Sequence, residues 1–383
     1  MKKKLVYILN QYSEKEGSHF FHILNLLEEI ASNGVEIILI IEKSKSKPKF
    51  VSKNIQVILQ KRTGISRFFE LFKIILSLYK QGYRKVFIRI STWGAIPAIL
   101  LSLVTKIETY FWQSGTTHLT EKSKKFNFSR FIKSQLPFYF VKKFTSYFVT
   151  GPEIMVKYYI DVVNVKPKKI ICLYNDIDIS RFKNLSQEEK YQLKAEMGFD
   201  NNTKILLHVK RMSTIKGILF YNPYVLEKSM EFLRANNYKC IYIGDGSEKD
   251  KLKKIIKDKH LEDIVKVIGS KPNSEIQKYY QITDVFINPT LEEGFPRVLL
   301  EAMASGLPTV TTNAGGTANM VGELQSKYMV DTKDKDGFAN NLREILENEK
   351  LQYKLGQENL ISAKRFSTKN VAKMYIENIF KND

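Results

Sequence analysis

Short apolar runs alternate with longer segments of helical periodicity along this chain of 383 residues. Six strand-like runs lie in the first half, at 5–9, 35–41, 55–59, 85–90, 107–112 and 146–150. Six more lie in the second half, at 205–209, 239–243, 265–268, 285–287, 309–312 and 328–330. Because strands that alternate with helices build a parallel sheet covered on both faces, the pattern predicts an α/β protein. The two series predict two doubly wound domains that face a central cleft.

The boundary between the two series lies in a polar stretch after residue 165. It begins with Lys166-Pro-Lys-Lys169 and continues into a further strand-like run at 170–174. We therefore predict a first domain over residues 1–168 and a second over residues 169–365. The tail has the pattern of a capped helix, and we expect residues 366–383 to pack back toward the first domain.

The loop and helix that follow the strand at 285–287 hold the most informative motif. Residues 293–301 read E-G-F-P-R-V-L-L-E, so Glu293 precedes a helix and Glu301 lies on its second turn. We expect Pro296 at the first helical position, where its missing N–H has no consequence. The first-turn N–H groups and the positive end of the helix dipole lie between the two carboxylates. This arrangement suits an anionic ligand rich in hydroxyl groups, and two solvated surface charges are the alternative.

Two cations follow the strand at 205–209. Arg211 and Lys216 lie in a short loop that ends at Gly217. Two cations at the carboxyl end of a parallel strand suit a diphosphate. An ordinary basic surface loop is the alternative.

Three other loops hold weaker candidates. Gly17 precedes a helix whose N–H groups can meet a phosphate, but the G-x-G-x-x-G pattern of a dinucleotide site is missing. Gly244 lies in a strand-to-helix turn, for which a structural role is the first interpretation. His118 lies in a small polar loop, where it can bond a hydroxyl group or simply face solvent. His19 and His22 have no third ligand nearby in the sequence, so no metal site is predicted.

Positive charge is concentrated in the first half of the chain. The net charge is +21, and residues 1–165 hold 26 Lys and Arg against 11 Asp and Glu. A basic half predicts an anionic partner, either lipid or nucleic acid. The alternative explanation of the positive charge is a genome that favours lysine. No nucleic-acid-reading motif accompanies the charge, so we expect no nucleic acid partner.

Cations alternate with aromatic residues in two segments, 62–85 and 122–143. This pattern is typical of a lipid headgroup interface, although the aliphatic positions of the first segment also suit a domain core. The apolar run at 93–104 is too short to span a bilayer, and the start of the chain has no signal-peptide pattern. Cys172 and Cys240 are interpreted as buried thiols. We therefore expect a cytoplasmic protein that is peripheral on the inner face of the plasma membrane.

Together these motifs resemble the family-4 retaining glycosyltransferases of the GT-B fold, which have two Rossmann-like domains facing a cleft. The stretch from Glu293 to Val310 is similar to the E-x7-E signature, and Arg211 with Lys216 is similar to the family's paired phosphate-binding cations. Weaker likenesses are Gly244-Asp-Gly246, Asp284 with Asn288-Pro289, and the stretch 175–182, which has Asp176 where glycine is usual. The resemblance is dense over residues 170–320 and faint in the first half.

The resemblance implies a metal-independent site for a nucleotide-sugar donor. Glu301 would bind the ribose, Glu293 would hold the transferred sugar, and Arg211 with Lys216 would hold the diphosphate and stabilise it as it leaves. Further donor contacts would come from Gly17, Gly244, Gly294, Phe295, Pro296, Val298 and Leu299.

Two positions depart from the family pattern. Lys210 stands before Arg211, where the family usually has glycine. Ser114-Gly115 stands where many members carry a catalytic-site histidine, and we assign that role to His118, slightly later in the chain.

The resemblance predicts a retaining hexosyltransferase that uses a UDP- or GDP-sugar and a lipid-linked or surface-polysaccharide acceptor. Two other classes stay open. A non-catalytic GT-B scaffold or glycan-binding partner would have no need of Glu293, Glu301, Arg211 and Lys216 together. A sugar-nucleotide epimerase on the same fold is the second, and the glutamate pair argues against it.

Overall fold

The computed structural model describes residues 2–13, 21–113 and 128–381. The chain divides into two compact units, Met1–Asp176 with Thr368–Asp383, and Ile177–Ser367. Each unit is built on one parallel sheet with helices around it, which confirms the predicted α/β class. Each of the twelve predicted strand runs overlaps a strand of the structure.

The sheet of the first unit has seven strands in the order β3-β2-β1-β4-β5-β6-β7. Its strands are β1 Lys4–Gln11, β2 Glu36–Lys43, β3 Ile55–Leu59, β4 Lys85–Arg89, β5 Glu108–Trp112, β6 Tyr147–Thr150 and β7 Ile170–Cys172. Its helices are α1 Phe21–Ser32, α2 Gly64–Lys80, α3 Thr92–Ser102, α4 Leu136–Phe144 and α5 Glu153–Asp161. A helical turn at Phe128–Arg130 and a π-helical turn at Phe131–Gln135 precede α4.

The sheet of the second unit has six strands in the order β10-β9-β8-β11-β12-β13. Its strands are β8 Lys204–Val209, β9 Tyr238–Ile243, β10 Val265–Gly269, β11 Val285–Asn288, β12 Thr309–Thr312 and β13 Met329–Val330. Its helices are α6 Gln187–Glu196, α7 Ile218–Ala235, α8 Lys249–Asp258, α9 Ile276–Ile282, α10 Arg297–Ala304, α11 Glu323–Ser326, α12 Lys335–Glu347 and α13 Glu349–Ala363. The last helix of the chain is α14 Thr368–Ile379.

Alternation along β1 explains why its apolar run is continuous. Leu5, Tyr7 and Leu9 face the layer of α1 and α14, whereas Val6 and Ile8 face the layer of α2 and α3. All five side chains are fully buried. A parallel strand covered on both faces requires an apolar residue at every position, and this requirement makes the central strands recognisable in the sequence.

The strand β7 corrects the predicted domain boundary. Its residues pair with β6, with Ile170 opposite Phe148, so it forms the edge of the first sheet although it follows residue 168. The boundary between the two compact units falls after Asp176. The backbone N–H of Ile177 already bonds Phe366 in the second unit.

The helix α14 belongs to the first unit. The Tyr110 hydroxyl donates to the carbonyl oxygen of Ile379 at 3.0 Å, and the Arg89 guanidinium contacts the Tyr375 hydroxyl at 3.4 Å. Tyr375 is fully buried against Phe87. The chain therefore returns to the first sheet after completing the second.

The two basic segments differ in burial. On α2, Leu71, Ile75 and Leu78 are buried, as expected of a core helix. Between residues 128 and 139, by contrast, five large apolar side chains are exposed, and we call them the aromatic surface: Phe128, Phe131, Ile132, Leu136 and Tyr139. Among the described residues, no helix is long and apolar enough to cross a membrane. The predicted burial of the two thiols holds for Cys240, whereas Cys172 is only partly buried.

Candidate active site

The candidate site lies in the second unit, where the strand order reverses between β8 and β11. In open α/β sheets ligands bind outside the carboxyl ends of the strands at such a reversal. The loop after β8 carries Arg211 and Lys216, and the loop after β11 carries Glu293. Two loops that are far apart in sequence therefore meet at one edge of the sheet.

The structure joins Lys216 and Glu293 in an ion pair. The Lys216 Nζ lies 2.8 Å from Glu293 Oε2 and 2.8 Å from the carbonyl oxygen of Glu292. The two side chains are 24% and 18% exposed, so solvent reaches both. Arg211 is exposed, and its side chain forms no hydrogen bond or ion pair with the described residues. One predicted cation is thus held on a carboxylate, and the other is available to a ligand.

Lys210 is a third cation of this site that the sequence showed only as a departure from the family pattern. Its residue is 7% exposed, and its Nζ donates to Asn288 Oδ1 at 3.2 Å and to the carbonyl oxygen of Pro289 at 3.3 Å. Burial lowers the pKa of Lys210 to about 7, while the Glu293 charge raises it and the Lys216 charge lowers it. The sequence feature that could have indicated this role is a lysine directly after a strand of buried residues.

Glu301 lies on α10 in a separate environment. Its Oε2 accepts a hydrogen bond from the Tyr280 hydroxyl at 2.8 Å. Burial raises the pKa of Glu301, whereas the charges of Arg297 and Arg181 and the Tyr280 hydrogen bond lower it. A carboxyl group in such a partly apolar position is suited to accepting hydrogen bonds from a ligand's hydroxyl groups.

The turn before α10 differs in detail from the prediction. Pro296 is the N-cap residue with φ −73° and ψ 103°, and the helix begins at Arg297. Phe295 is buried with its ring 5.4 Å from that of Phe366, and Leu299 is fully buried. The carbonyl oxygen of Val298 accepts from Tyr280 at 3.3 Å. The side chains of Phe295 and Leu299 therefore hold the turn in place from the protein side.

The loop after β12 also reaches this turn, which was not predicted. The Gly316 N–H donates to the carbonyl oxygen of Gly294 at 2.8 Å. Gly315 has φ +54°, and a Cβ there would lie 1.8 Å from the carbonyl oxygen of Glu293. Only glycine permits this approach. The signal was the Gly-Gly pair that follows a predicted strand.

Gly244 supports the site by close packing. A Cβ on Gly244 would lie 1.9 Å from the carbonyl oxygen of Lys210. Its own N–H donates to the carbonyl oxygen of Gly269 at 2.9 Å, so this amide is already engaged and not available to a phosphate. Gly244 therefore has a packing role for the loop that carries Lys210, and its contact with the donor stays a prediction.

Two predicted site residues, Gly17 and His118, lie outside the described residues. Five other predicted site residues all lie in the second unit: Arg211, Lys216, Glu293, Gly294 and Glu301. The described parts of the chain contain no cluster of three His, Cys, Asp or Glu side chains that could hold a metal ion.

Comparison with known proteins identifies this unit further. Residues 189–360 match the family model described as Glycosyl transferases group 1. The N-acetyl-alpha-D-glucosaminyl L-malate synthase of Bacillus anthracis is 28% identical over 194 residues, which are 50% of this chain and 49% of that protein. The amylovoran biosynthesis glycosyltransferase AmsK of Erwinia amylovora is 30% identical over 171 residues, which are 43% and 40% of the two chains. The matched region spans about half or less of these relatives.

Two solved structures share the fold over the whole chain. The sucrose-phosphate synthase of Thermosynechococcus elongatus has a TM-score of 0.79 at 14% identity and is covered over 100% of both chains. Anabaena HepE in complex with UDP has a TM-score of 0.76 at 16% identity, with 99% of this chain and 100% of that chain covered. With its two parallel sheets and the fold that these structures share, this chain has the GT-B fold, and its residues 189–360 are similar to the group 1 glycosyl transferases.

Proposed function

We propose that this protein is a retaining glycosyltransferase that moves a sugar from a UDP- or GDP-sugar to a lipid-linked or surface-polysaccharide acceptor without a metal. The observation that carries the proposal is the meeting of Lys210, Lys216 and Glu293 at the strand-order reversal of the second sheet. Fixed positive charge beside a carboxylate suits a ligand that joins a diphosphate to a hydroxylated ring.

The donor is proposed to lie across the loops that follow β8 and β11. The diphosphate would bind Arg211, Lys216 and the N-terminal N–H groups of α10. Glu293 would accept hydrogen bonds from the transferred sugar, and Glu301 from the ribose. HepE was solved with UDP, which supports a nucleoside diphosphate as the ligand class.

The proposed reaction breaks the bond between the anomeric carbon and the phosphate oxygen. The acceptor hydroxyl oxygen attacks the anomeric carbon from the face that the diphosphate leaves, so the configuration is retained. The hydroxyl proton passes to the departing phosphate oxygen, and the bonding electrons leave with the nucleoside diphosphate. Arg211 and Lys216 stabilise the negative charge that develops on the departing phosphate. Preorganised cations contribute to catalysis through such electrostatic stabilisation.

The first unit is proposed to bring the protein to an anionic membrane. The aromatic surface lies near Lys133, Lys142 and Lys143 in the sequence, and of these Lys133 and Lys143 are exposed. Exposed aromatic rings interleaved with lysines suit the headgroup region of a bilayer, where rings insert and cations meet lipid phosphates. The protein would then be peripheral on the cytoplasmic face of the plasma membrane.

A donor screen tests the proposal. Melting temperatures are measured with UDP-, GDP- and other nucleotide-sugars, because only a ligand that prefers the folded state raises the melting temperature. The product formed from the selected donor is then examined by NMR for its anomeric configuration. A retained configuration is expected, an inverted one contradicts the mechanism, and conversion of the donor without any acceptor favours the epimerase alternative.

A further inference from the structure

Lys210 lies in the proposed donor site, but the proposed reaction gives it no step. The residue is 7% exposed, and its backbone N–H donates to the carbonyl oxygen of Ile243 at 2.9 Å. Its own carbonyl oxygen packs so closely on Gly244 that a Cβ there would lie 1.9 Å away. The backbone of Lys210 is therefore fixed, and its side chain is enclosed beside the end of β11.

The hydrogen bonds of the Lys210 amino group both end on uncharged oxygens. Its Nζ donates to Asn288 Oδ1 at 3.2 Å and to the carbonyl oxygen of Pro289 at 3.3 Å. The Asn288 amide is oriented by Thr311, whose hydroxyl oxygen accepts from Nδ2 at 3.1 Å. Within the described part of the chain, the Nζ has no third acceptor.

Two hydrogen bonds match the uncharged form of this side chain. An ammonium group has three N–H donors, whereas the uncharged amine has one fewer. Both donors of the amine are therefore satisfied by Asn288 and Pro289, and the ammonium would bury one N–H without a partner. Because an unpaired buried donor is unfavourable, the hydrogen bonding favours the uncharged amine.

The charges around Lys210 favour the same form. His208, on the same strand, is buried, and burial followed by the Lys210 charge lowers its pKa well below the ordinary value, so it brings no negative charge. Arg211 and Lys216, in the same loop, are cations. Burial lowers the pKa of Lys210 to about 7, while the Glu293 charge raises it and the Lys216 charge lowers it.

The carboxylates on the loop after β9 have other cations as partners. Asp245 pairs with Lys249 at 2.9 Å, and Glu248 lies 3.4 Å from the Nζ of Lys251. The carboxylate whose charge acts on the buried lysine is that of Glu293. Glu293 is thus the counter-ion within reach of a charged Lys210, and Lys216 already occupies it.

A bound diphosphate would change this balance. Lys216 is held by Glu293 Oε2 and by the carbonyl oxygen of Glu292, both at 2.8 Å. Phosphate oxygens attract cations through strong charge-assisted hydrogen bonds, so the diphosphate would draw Lys216 away. The Glu293 side chain, which is 18% exposed, would then be a largely buried carboxylate without its cation. Such a charge is unfavourable unless another cation compensates it.

We propose that Lys210 is a positioning residue that takes up a proton from the solvent when the diphosphate binds and then serves as the counter-ion of Glu293. The amine nitrogen bonds the proton through its lone pair and becomes an ammonium group, whose third N–H is available to the carboxylate. Glu293 stays ionised for its contact with the sugar. This inference deepens the proposed function and rests on it in taking a nucleoside diphosphate as the ligand.

Calorimetry of the full chain, with UDP and GDP as the probes, counts the protons. Binding is measured at about pH 8 in two buffers that differ in ionisation enthalpy, because the difference in heat gives the number of protons taken up. The nucleotide phosphate, whose second pKa is about 6, is already deprotonated there. We expect the wild type to take up close to one proton for each nucleotide bound.

Two variants assign that proton to Lys210. Lys210→Met keeps the length of the side chain and should bind the nucleotide more weakly and without proton uptake. Lys210→Arg carries a permanent charge and should bind it without proton uptake as well. Lys259→Met is the matched control, since Lys259 pairs with Glu227 at 2.7 Å, and it should take up the proton as the wild type does.

The affinity for the nucleotide should follow the proton. Binding that consumes a proton weakens as pH rises, so the affinity of the wild type and of Lys259→Met should fall by up to about tenfold over one pH unit above pH 8. The affinity of Lys210→Arg should not change over that interval, since its charge is constant. This pH profile separates a role in charge compensation from a purely structural role of the side chain.

The outcomes separate this inference from the proposed function. Nucleotide binding by the wild type without proton uptake overturns the inference, whether or not the variants fold. Equal proton uptake by the wild type and Lys210→Met also overturns it, because the proton then enters another group. If the wild type binds neither UDP nor GDP, the proposed function fails, and the inference that rests on it fails too.

Discussion

Lys216 and Glu293 come from different loops of the second unit and form an ion pair with Nζ and Oε2 2.8 Å apart. The pair keeps a cation and a carboxylate preorganised at the strand-order reversal. In the proposed function an incoming diphosphate would compete for the lysine, and the carboxylate would then be released toward the sugar. Donor binding would thereby be coupled to the placement of the carboxylate proposed to hold the sugar.

Replacing Lys216 by methionine tests this coupling. The side chain keeps its length but loses the charge that is proposed to stabilise the leaving diphosphate. We expect the rate of transfer to fall roughly 10²- to 10³-fold, as when one preorganised donor is removed from a transition state. The rate of transfer is measured as the release of nucleoside diphosphate in a single turnover. Lys259→Met is the matched control, since Lys259 pairs with Glu227 at 2.7 Å near the amino ends of the strands, and it should leave the rate unchanged.

The buried Lys210 makes stability depend on pH. The pKa of Lys210 is about 7 in the folded protein, whereas the ordinary pKa of a lysine in water is 10.5. Below pH 7 both folded and unfolded chains carry the proton, and burial of the ammonium is destabilising. Between these two values only the unfolded chain keeps the proton, so the free energy of unfolding increases with pH through this group.

Lys210→Met isolates that contribution. Urea unfolding is measured between about pH 7 and pH 10.5. As pH rises, the free energy of unfolding of the wild type should increase by a few kcal/mol relative to that of the variant. Lys259→Met, at an exposed lysine, should follow the wild-type curve. A constant difference between the wild type and Lys210→Met at every pH would show that Lys210 does not titrate in this range.

Gly315→Ala tests the contact between the loop after β12 and the Glu293 turn. The new Cβ would meet the carbonyl oxygen of Glu293 at 1.8 Å, so the turn must shift and transfer activity should fall at least about tenfold. Gly198→Ala is the control, because Gly198 also has positive φ, +75°, with nothing within 4 Å of the added Cβ. It should cost about 1 kcal/mol of stability and no activity. Equal activity in the two variants would disprove the role of the contact.

Membrane binding of the aromatic surface should be electrostatic in part. We expect flotation with anionic vesicles to weaken as salt increases. Lys133→Gln with Lys143→Gln should reduce binding by about 1 kcal/mol per lysine. Lys53→Gln with Lys106→Gln changes two exposed lysines at the amino edge of the same sheet and should have little effect. Equal losses in the two pairs would indicate a response to net charge alone.

The sequence predicted best what depends on local pattern. Central strands such as β1 are buried on both faces and therefore apolar along the middle of the strand. Lys216 and Glu293 were recognisable because each lies in a loop after a buried strand, β8 or β11. The roles of Lys210 and Gly315 depend on contacts across 78 residues in one case and 22 in the other, which spacing does not reveal. The edge strand β7 was assigned to the wrong domain because its pairing partner is set by the fold rather than by its own residues.

The most direct test of the donor site is acceptor-dependent release of nucleoside diphosphate from the donor selected by the melting-temperature screen. It compares the wild type with the double variant Arg211→Gln and Glu293→Gln, and with Lys259→Met as the control. We predict release by the wild type and the control, and release at least about 10³-fold slower by the double variant, because both the leaving-group charge and the sugar contact are lost. Release by the double variant at the wild-type rate would contradict the assignment of the donor site to this pair of loops.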